Sequence, residues 1–175
     1  MSSINPQVLC FKSATDQAKK RQARKLFYQA YQAQIKRNYQ LAIEQYQASI
    51  DIFPTAEAHT FLGWTYSFMG ELEQAIEECR HAILIDPDFG NPYNDLGAYL
   101  IAKGKYQEAV PYLQGALQAK RYRAYHFAHF NLGRAKEYQG DVLNAFRHYK
   151  RALELEPCYL IAQRAMQSLR AHTPN

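Results

Sequence analysis

The chain is predicted to fold as an all-α solenoid of four stacked helix pairs closed by a C-terminal capping helix, and three observations carry that prediction. A Leu-Gly pair recurs at Leu62-Gly63, Leu96-Gly97 and Leu132-Gly133. Seven residues after each of these glycines comes another, at Gly70, Gly104 and Gly140. Alanines then fall at fixed offsets, Ala75 and Ala82, Ala109 and Ala116, Ala145 and Ala152, and two of the copies end on Pro87 and Pro157. A weaker, earlier copy puts Ala30, Ala42, Ser49 and Pro54 in the same places. The steps Ala42 to Ala75, Ala75 to Ala109 and Ala109 to Ala145 are 33, 34 and 36 residues.

Each recurring residue type has a physical reason. Small residues at Gly63, Ala75, Ala82 and their equivalents let two helices of one pair cross closely. Gly70, Gly104 and Gly140 stand where the first helix must stop, and glycine readily takes the left-handed cap. Pro54, Pro87 and Pro157 end the second helix, because proline lacks a donor and restricts the residue before it. Leu62, Leu96, Leu132, Ile76, Val110 and Phe146 are expected to fill the core. The helices are expected at about 14–36, 39–52, 55–69, 72–85, 89–103, 106–119, 124–139, 142–155 and 159–171, with boundaries good to ~2–4 residues. Ser13 and Asp16 have the spacing of a capping box for the first of them.

This pattern resembles the tetratricopeptide repeat, whose period is about 34 residues and whose signature is L-G … A … P. The resemblance covers residues 22–157. It departs at Ala30 (for Gly), at Arg121 (for Pro) and by extra residues between the third and fourth units. It divides the chain into a flexible N-terminus (1–12), repeat 1 with an extended first helix (13–55), repeat 2 (56–89), repeat 3 (90–125), repeat 4 (126–158) and a capping helix with tail (159–175). In that family the repeats stack into a right-handed superhelix whose concave groove is lined by the first helix of each repeat. The resemblance implies that Phe27, Tyr31, Thr60, Trp64, Phe68, Asn91, Asn94, Phe127, Phe130, Arg134 and Tyr138 line a peptide-binding groove. Aromatics there are anchors and asparagines can bond a partner's backbone. The plainer alternative is that some of them pack on neighbouring helices, with the long first helix partly filling the groove.

The expected function is therefore that of a protein–protein interaction module, an adaptor, assembly factor or co-chaperone, which takes an extended peptide or a helix of another protein. The alternative is a regulatory subunit or self-assembling scaffold that uses the convex face or the ends. Family members that clamp the C-terminal carboxylate of heat-shock chaperones do so with Lys, Asn and Arg. The matching places hold Phe27, Tyr31, Phe61, Asn91 and Asp95, so that clamp is not expected.

Composition excludes other classes. Hydrophobic residues at 47% and charged residues at 21% are those of a folded domain. No apolar run approaches the ~18 residues of a membrane span, and Met1 to Phe11 lacks the basic, apolar build of a signal peptide. Cys10, Cys79 and Cys158 are isolated, form no CxxC pair and fit a reducing compartment, so a cytoplasmic location is expected. The net charge of +5 is uneven. Residues 1–55 and 103–151 are basic, whereas residues 56–89 carry one Arg against seven acids. That alternation is not the continuous stripe of a nucleic-acid binder and could orient a charged partner.

No nucleophile elbow, HExxH or phosphate loop is present, so no enzyme activity and no cofactor are expected. His126 and His129 have a chelating spacing, but no Cys or carboxylate joins them, and no metal site is expected. Lys120, Arg121 and Arg123 precede a helix and could hold an anion, although solvated surface charge is the plainer reading.

Overall fold

The computed structural model describes residues 6–172, over which the chain forms nine helices and no strand. They are α1 (Pro6–Ile35), α2 (Tyr39–Ile52), α3 (Ala56–Phe68), α4 (Leu72–Ile85), α5 (Asn91–Ala102), α6 (Tyr106–Gln118), α7 (Tyr125–Tyr138), α8 (Val142–Leu155) and α9 (Leu160–His172). Within each repeat the two helices pack as a pair: α1 on α2, α3 on α4, α5 on α6, α7 on α8. Each pair then packs on the next, and α9 covers α8. The first helices also touch in series, α1 to α3, α3 to α5 and α5 to α7, which lines them up along one face.

The first helix starts earlier than the sequence predicts. α1 begins at Pro6 and runs through Ser13 and Asp16, so those two lie inside a helix and not at its cap. Pro6 stands at a helix start, where proline's missing N–H is not needed, and no Gly or Pro interrupts the run to Ile35. Residues 1–5 of the segment expected to be flexible lie outside the described residues.

The caps follow the glycines. Gly70, Gly104 and Gly140 have φ of 82°, 74° and 76°, the left-handed conformation that ends α3, α5 and α7. Repeat 1 lacks that glycine, and Arg37 takes the conformation instead, at φ 59°. At Gly133 the reason is close approach: a Cβ there would lie 2.5 Å from the Tyr149 ring.

The core is a line of clusters along the stack. Leu62, Leu96, Leu132 and Ile76 are buried as expected, while Val110 and Phe146 are half-buried, Val110 against the cluster of Leu96 and Phe146 against that of Tyr149. A leucine buried in this way contributes about 1.5–3 kcal/mol. Tyr46 and Tyr149 occupy equivalent places in repeats 1 and 4 and are fully buried. Each hydroxyl meets a partner on the first helix of its own repeat, the Gln34 side-chain oxygen at 2.7 Å and the Glu137 carboxylate.

The extra residues after repeat 3 build a strap between loops. Arg121 N–H donates to Asp88 O at 2.8 Å, and Phe89 and Arg121 form a single parallel bridge. The Arg121 guanidinium pairs with Glu57 at 2.5 Å and with Asp86, and lies over the Phe89 ring. Lys120 pairs with Asp88 at 3.1 Å. Two of the three basic residues considered as an anion holder are thus paired with carboxylates.

Candidate functional site

The line of first helices places the predicted groove residues, and it divides them into three groups. The first is an apolar cleft between α1 and α3. Trp64 follows Leu62 and Gly63, which face the partner helix, so its side chain turns outward from the pair. It keeps 42% of its surface exposed, Phe68 one turn on keeps 57%, and Ile35 keeps 59%. Tyr31 and Trp64 both set edges against the Phe61 ring, at centroid distances of 5.7 and 5.5 Å, and Phe68 stacks on Tyr39 at 5.6 Å. Tyr31, Gln34, Ile35, Arg37, Tyr39, Trp64 and Phe68 line a cleft of about 350 Å³. α1 therefore forms one wall of the cleft and leaves Trp64 partly exposed.

The second group is a polar ladder across α5 and α7. Arg134 donates to the Asn131 side-chain oxygen at 3.2 Å, Asn131 donates to that of Asn94 at 3.1 Å, and Asn94 donates to the Asp95 carboxylate at 3.1 Å. Burial pushes the Asp95 carboxyl up to about 7, against the smaller downward pull of the Asn94 amide. Asn131 escapes the sequence reading because it falls outside the family's groove positions. Asn94 is itself buried and both ends of its amide are engaged, so it shapes the ladder more than it faces solvent. Asn91 stands exposed at the start of α5.

The third group gathers at the C-terminal end. Phe127 is exposed, and Phe127, Phe130 and His126 all set edges against Tyr159, at 5.5, 5.2 and 5.3 Å. Tyr159 precedes α9, outside the repeats, which is why the repeat pattern does not reveal it. Phe130 also lies 5.7 Å from Tyr149 and belongs to the packing of this end.

Four of the residues expected in the groove also make contacts within the fold. Thr60 is buried, and its hydroxyl donates to Ala56 O at 2.7 Å in its own helix. Phe27 is partly buried and packs against the core cluster of repeat 1, with Tyr46 at 5.5 Å and Phe61 at 5.3 Å, and it lines a separate hollow of about 370 Å³ with Lys20, Arg24 and Phe53. Phe130 is a packing residue, as described above. Tyr138 stacks on Tyr106 at 4.7 Å, at the rim where α6 begins. Arg134 combines both roles, since it caps the polar ladder and lies over the Phe130 ring.

The histidines also differ from their spacing. His126 packs in the Tyr159 cluster, while His129 faces His148 of α8, Nδ1 to Nδ1 3.1 Å. Burial and the neighbouring His148 and Arg151 charges push His129 down to about 4.

Comparison with known proteins agrees with this architecture. Two family models, both of the tetratricopeptide repeat, match residues 56–89 and 128–157 and residues 93–121 respectively. The chain belongs to the tetratricopeptide repeat family, whose repeats are protein-interaction modules. It is 34% identical over 83 residues to small glutamine-rich tetratricopeptide repeat-containing protein 2 of Mycosarcoma maydis, covering 47% of this chain and 24% of that protein. The protein of the same name from Saccharomyces cerevisiae is 33% identical over 96 residues, 54% of this chain and 28% of that one. The match thus spans about a quarter of the length of these curated relatives. Among solved structures, pilF of Pseudomonas aeruginosa aligns with a TM-score of 0.79 at 23% identity, over 86% of this chain and 68% of that one. MamA aligns at 0.71 and 22%, over 81% and 82%. The first repeat domain of Spaghetti (RPAP3), solved with the HSP90 peptide SRMEEVD, aligns at 0.62 and 22%, over 66% and 90%. These likenesses show the fold. No helix among the described residues is long and apolar enough to cross a membrane.

Proposed function

We propose that this chain is an adaptor or assembly factor that captures a segment of a partner protein along the face formed by α1, α3, α5 and α7. The observation that carries this reading is the cleft of Tyr31, Ile35, Trp64 and Phe68, a contiguous exposed aromatic and aliphatic surface that Gln34 and Arg37 also line. Scattered exposed apolar residues are ordinary, but clustered aromatics rimmed by polar groups are the anatomy of an interface. The partner supplies an apolar or aromatic anchor for the cleft. A chaperone tail of the kind seen with Spaghetti is not the expected ligand, because Phe27, Tyr31, Phe61, Asn91 and Asp95 stand at the positions of the carboxylate clamp. The chain acts without catalysis, and its place of action is the cytoplasm.

The test is photo-crosslinking with a peptide selected for binding from a random displayed library. A photoreactive residue at Phe68 is expected to crosslink the peptide, whereas one at exposed Leu84 on α4 is not. Crosslinking at Leu84 alone would move the function to the second helices. A second reading, a scaffold or regulatory subunit that associates through its C-terminal end, rests on the exposed Leu143, Leu160 and Ile161.

A further inference from the structure

The geometry points to a zinc site between α3 and α4, built from His59, Glu78 and His81, on residues that the groove does not use. His59 is buried on α3, with Nδ1 2.6 Å from Glu78 Oε2 of α4. His81 follows Glu78 by three residues, one helical turn, and so lies on the same face of α4. Its ring centroid is 5.3 Å from that of His59. One ligand atom from each of the three lies within 4.8 Å of the others. Glu77 adds an oxygen 3.6 Å from His81 Nε2 at the rim.

Two imidazoles and a carboxylate form a zinc donor set, with the fourth position left for water or Glu77. Ligands at about 2.0–2.2 Å from zinc must draw closer than they stand now. Glu77 and His81 are about half exposed, which leaves room for their side chains to change rotamer.

The arrangement is particular to repeat 2. The equivalents of His59, Glu78 and His81 are Leu26, Gln45 and Ala48 in repeat 1, Tyr93, Tyr112 and Gly115 in repeat 3, and His129, His148 and Arg151 in repeat 4. Repeat 4 retains a histidine pair, but Arg151 puts a positive charge where repeat 2 has its third ligand. Bound zinc would clamp α3, which carries Trp64 and Phe68, to α4. Spacing along the chain conceals the site, since His59 and Glu78 are 19 residues apart and meet only when the pair forms.

The test is equilibrium dialysis of the untagged, chelator-treated chain against zinc chloride, with metal analysis and melting. One zinc per chain and a higher melting temperature are expected. Glu78→Gln keeps a hydrogen-bonding partner for His59 but removes the charge, and exposed His81→Ala leaves the packing alone. Each should weaken zinc binding at least about tenfold with an unchanged helical spectrum. His129→Gln should retain it. No saturable zinc, binding that survives both repeat 2 substitutions, or binding lost in His129→Gln would overturn the site.

Discussion

At Asp95 burial and hydrogen bonding oppose each other, and burial is the larger effect. The folded carboxyl holds its proton up to about 7, whereas the unfolded one releases it at the ordinary aspartate value of 3.8. Between those values the folded chain binds more protons, so the contribution of Asp95 to stability is full below the lower value and is lost as pH rises through the higher one. Asp95→Asn copies the protonated shape. It is expected to melt higher than the native chain at pH 8, by at least roughly 1 kcal/mol or about 2–4 °C, and the difference should vanish near pH 4. A difference that does not change with pH would refute the burial argument. His129 acts with the opposite sign, because its lowered value makes the folded chain lose stability as pH falls through the ordinary histidine range; comparison with Asp95→Asn cancels that background. The family resemblance puts Asn94 and Thr60 on the groove-facing side of their helices, but it does not show that they are buried there. Burial is set by the packing of the stack.

Among the elements, the helices are legible because small residues, caps and prolines repeat together. Every second helix lies where the spacing predicts to within a residue. α1 is the exception, since a long run without Gly or Pro gives no local signal of where it starts and Pro6 can begin a helix as well as end one. Repeat 1 also shows what the missing cap glycine does. Arg37 N–H donates to Gln34 O at 2.9 Å and Asn38 N–H to Ala33 O at 2.9 Å, the pattern that Gly70 and Glu71 make after α3. The turn is thus kept, but a side chain in the left-handed region costs about 1 kcal/mol. Arg37→Gly is expected to stabilise the chain by about 0.5–1 kcal/mol, read as a higher melting temperature and a higher urea midpoint. A lower melting temperature would mean that Arg37 contributes contacts worth more than its strain. For α9 the sequence predicts a cap built from Leu160, Ile161, Ala165 and Leu169. The helix does cover α8, but with Ala162, Ala165, Met166 and Leu169, while Leu160 and Ile161 face outward.

For the whole molecule, the alternation of basic, acidic and basic segments is partly consumed inside the fold. Glu57, Asp86 and Asp88 meet Lys120 and Arg121, and Glu73 meets Lys103. These pairs are exposed and each contributes little to stability, so their effect is to leave less unpaired charge for a partner than the sequence suggests. What remains conspicuous on the face of the first helices is apolar, at Tyr31, Ile35, Trp64 and Phe68. If this cleft anchors a partner, substitution of Trp64 must weaken binding. Affinity for a peptide selected on the native chain and melting temperature are measured together for Trp64→Ala. Because Trp64 is partly exposed and supported by Phe61 and Phe68, the melt should remain near that of the native chain. Binding should fall at least about 30-fold, or ~2 kcal/mol, as for a buried aromatic anchor. Unfolding would make Trp64 a core residue, and undiminished binding would place the partner elsewhere; either result contradicts the account.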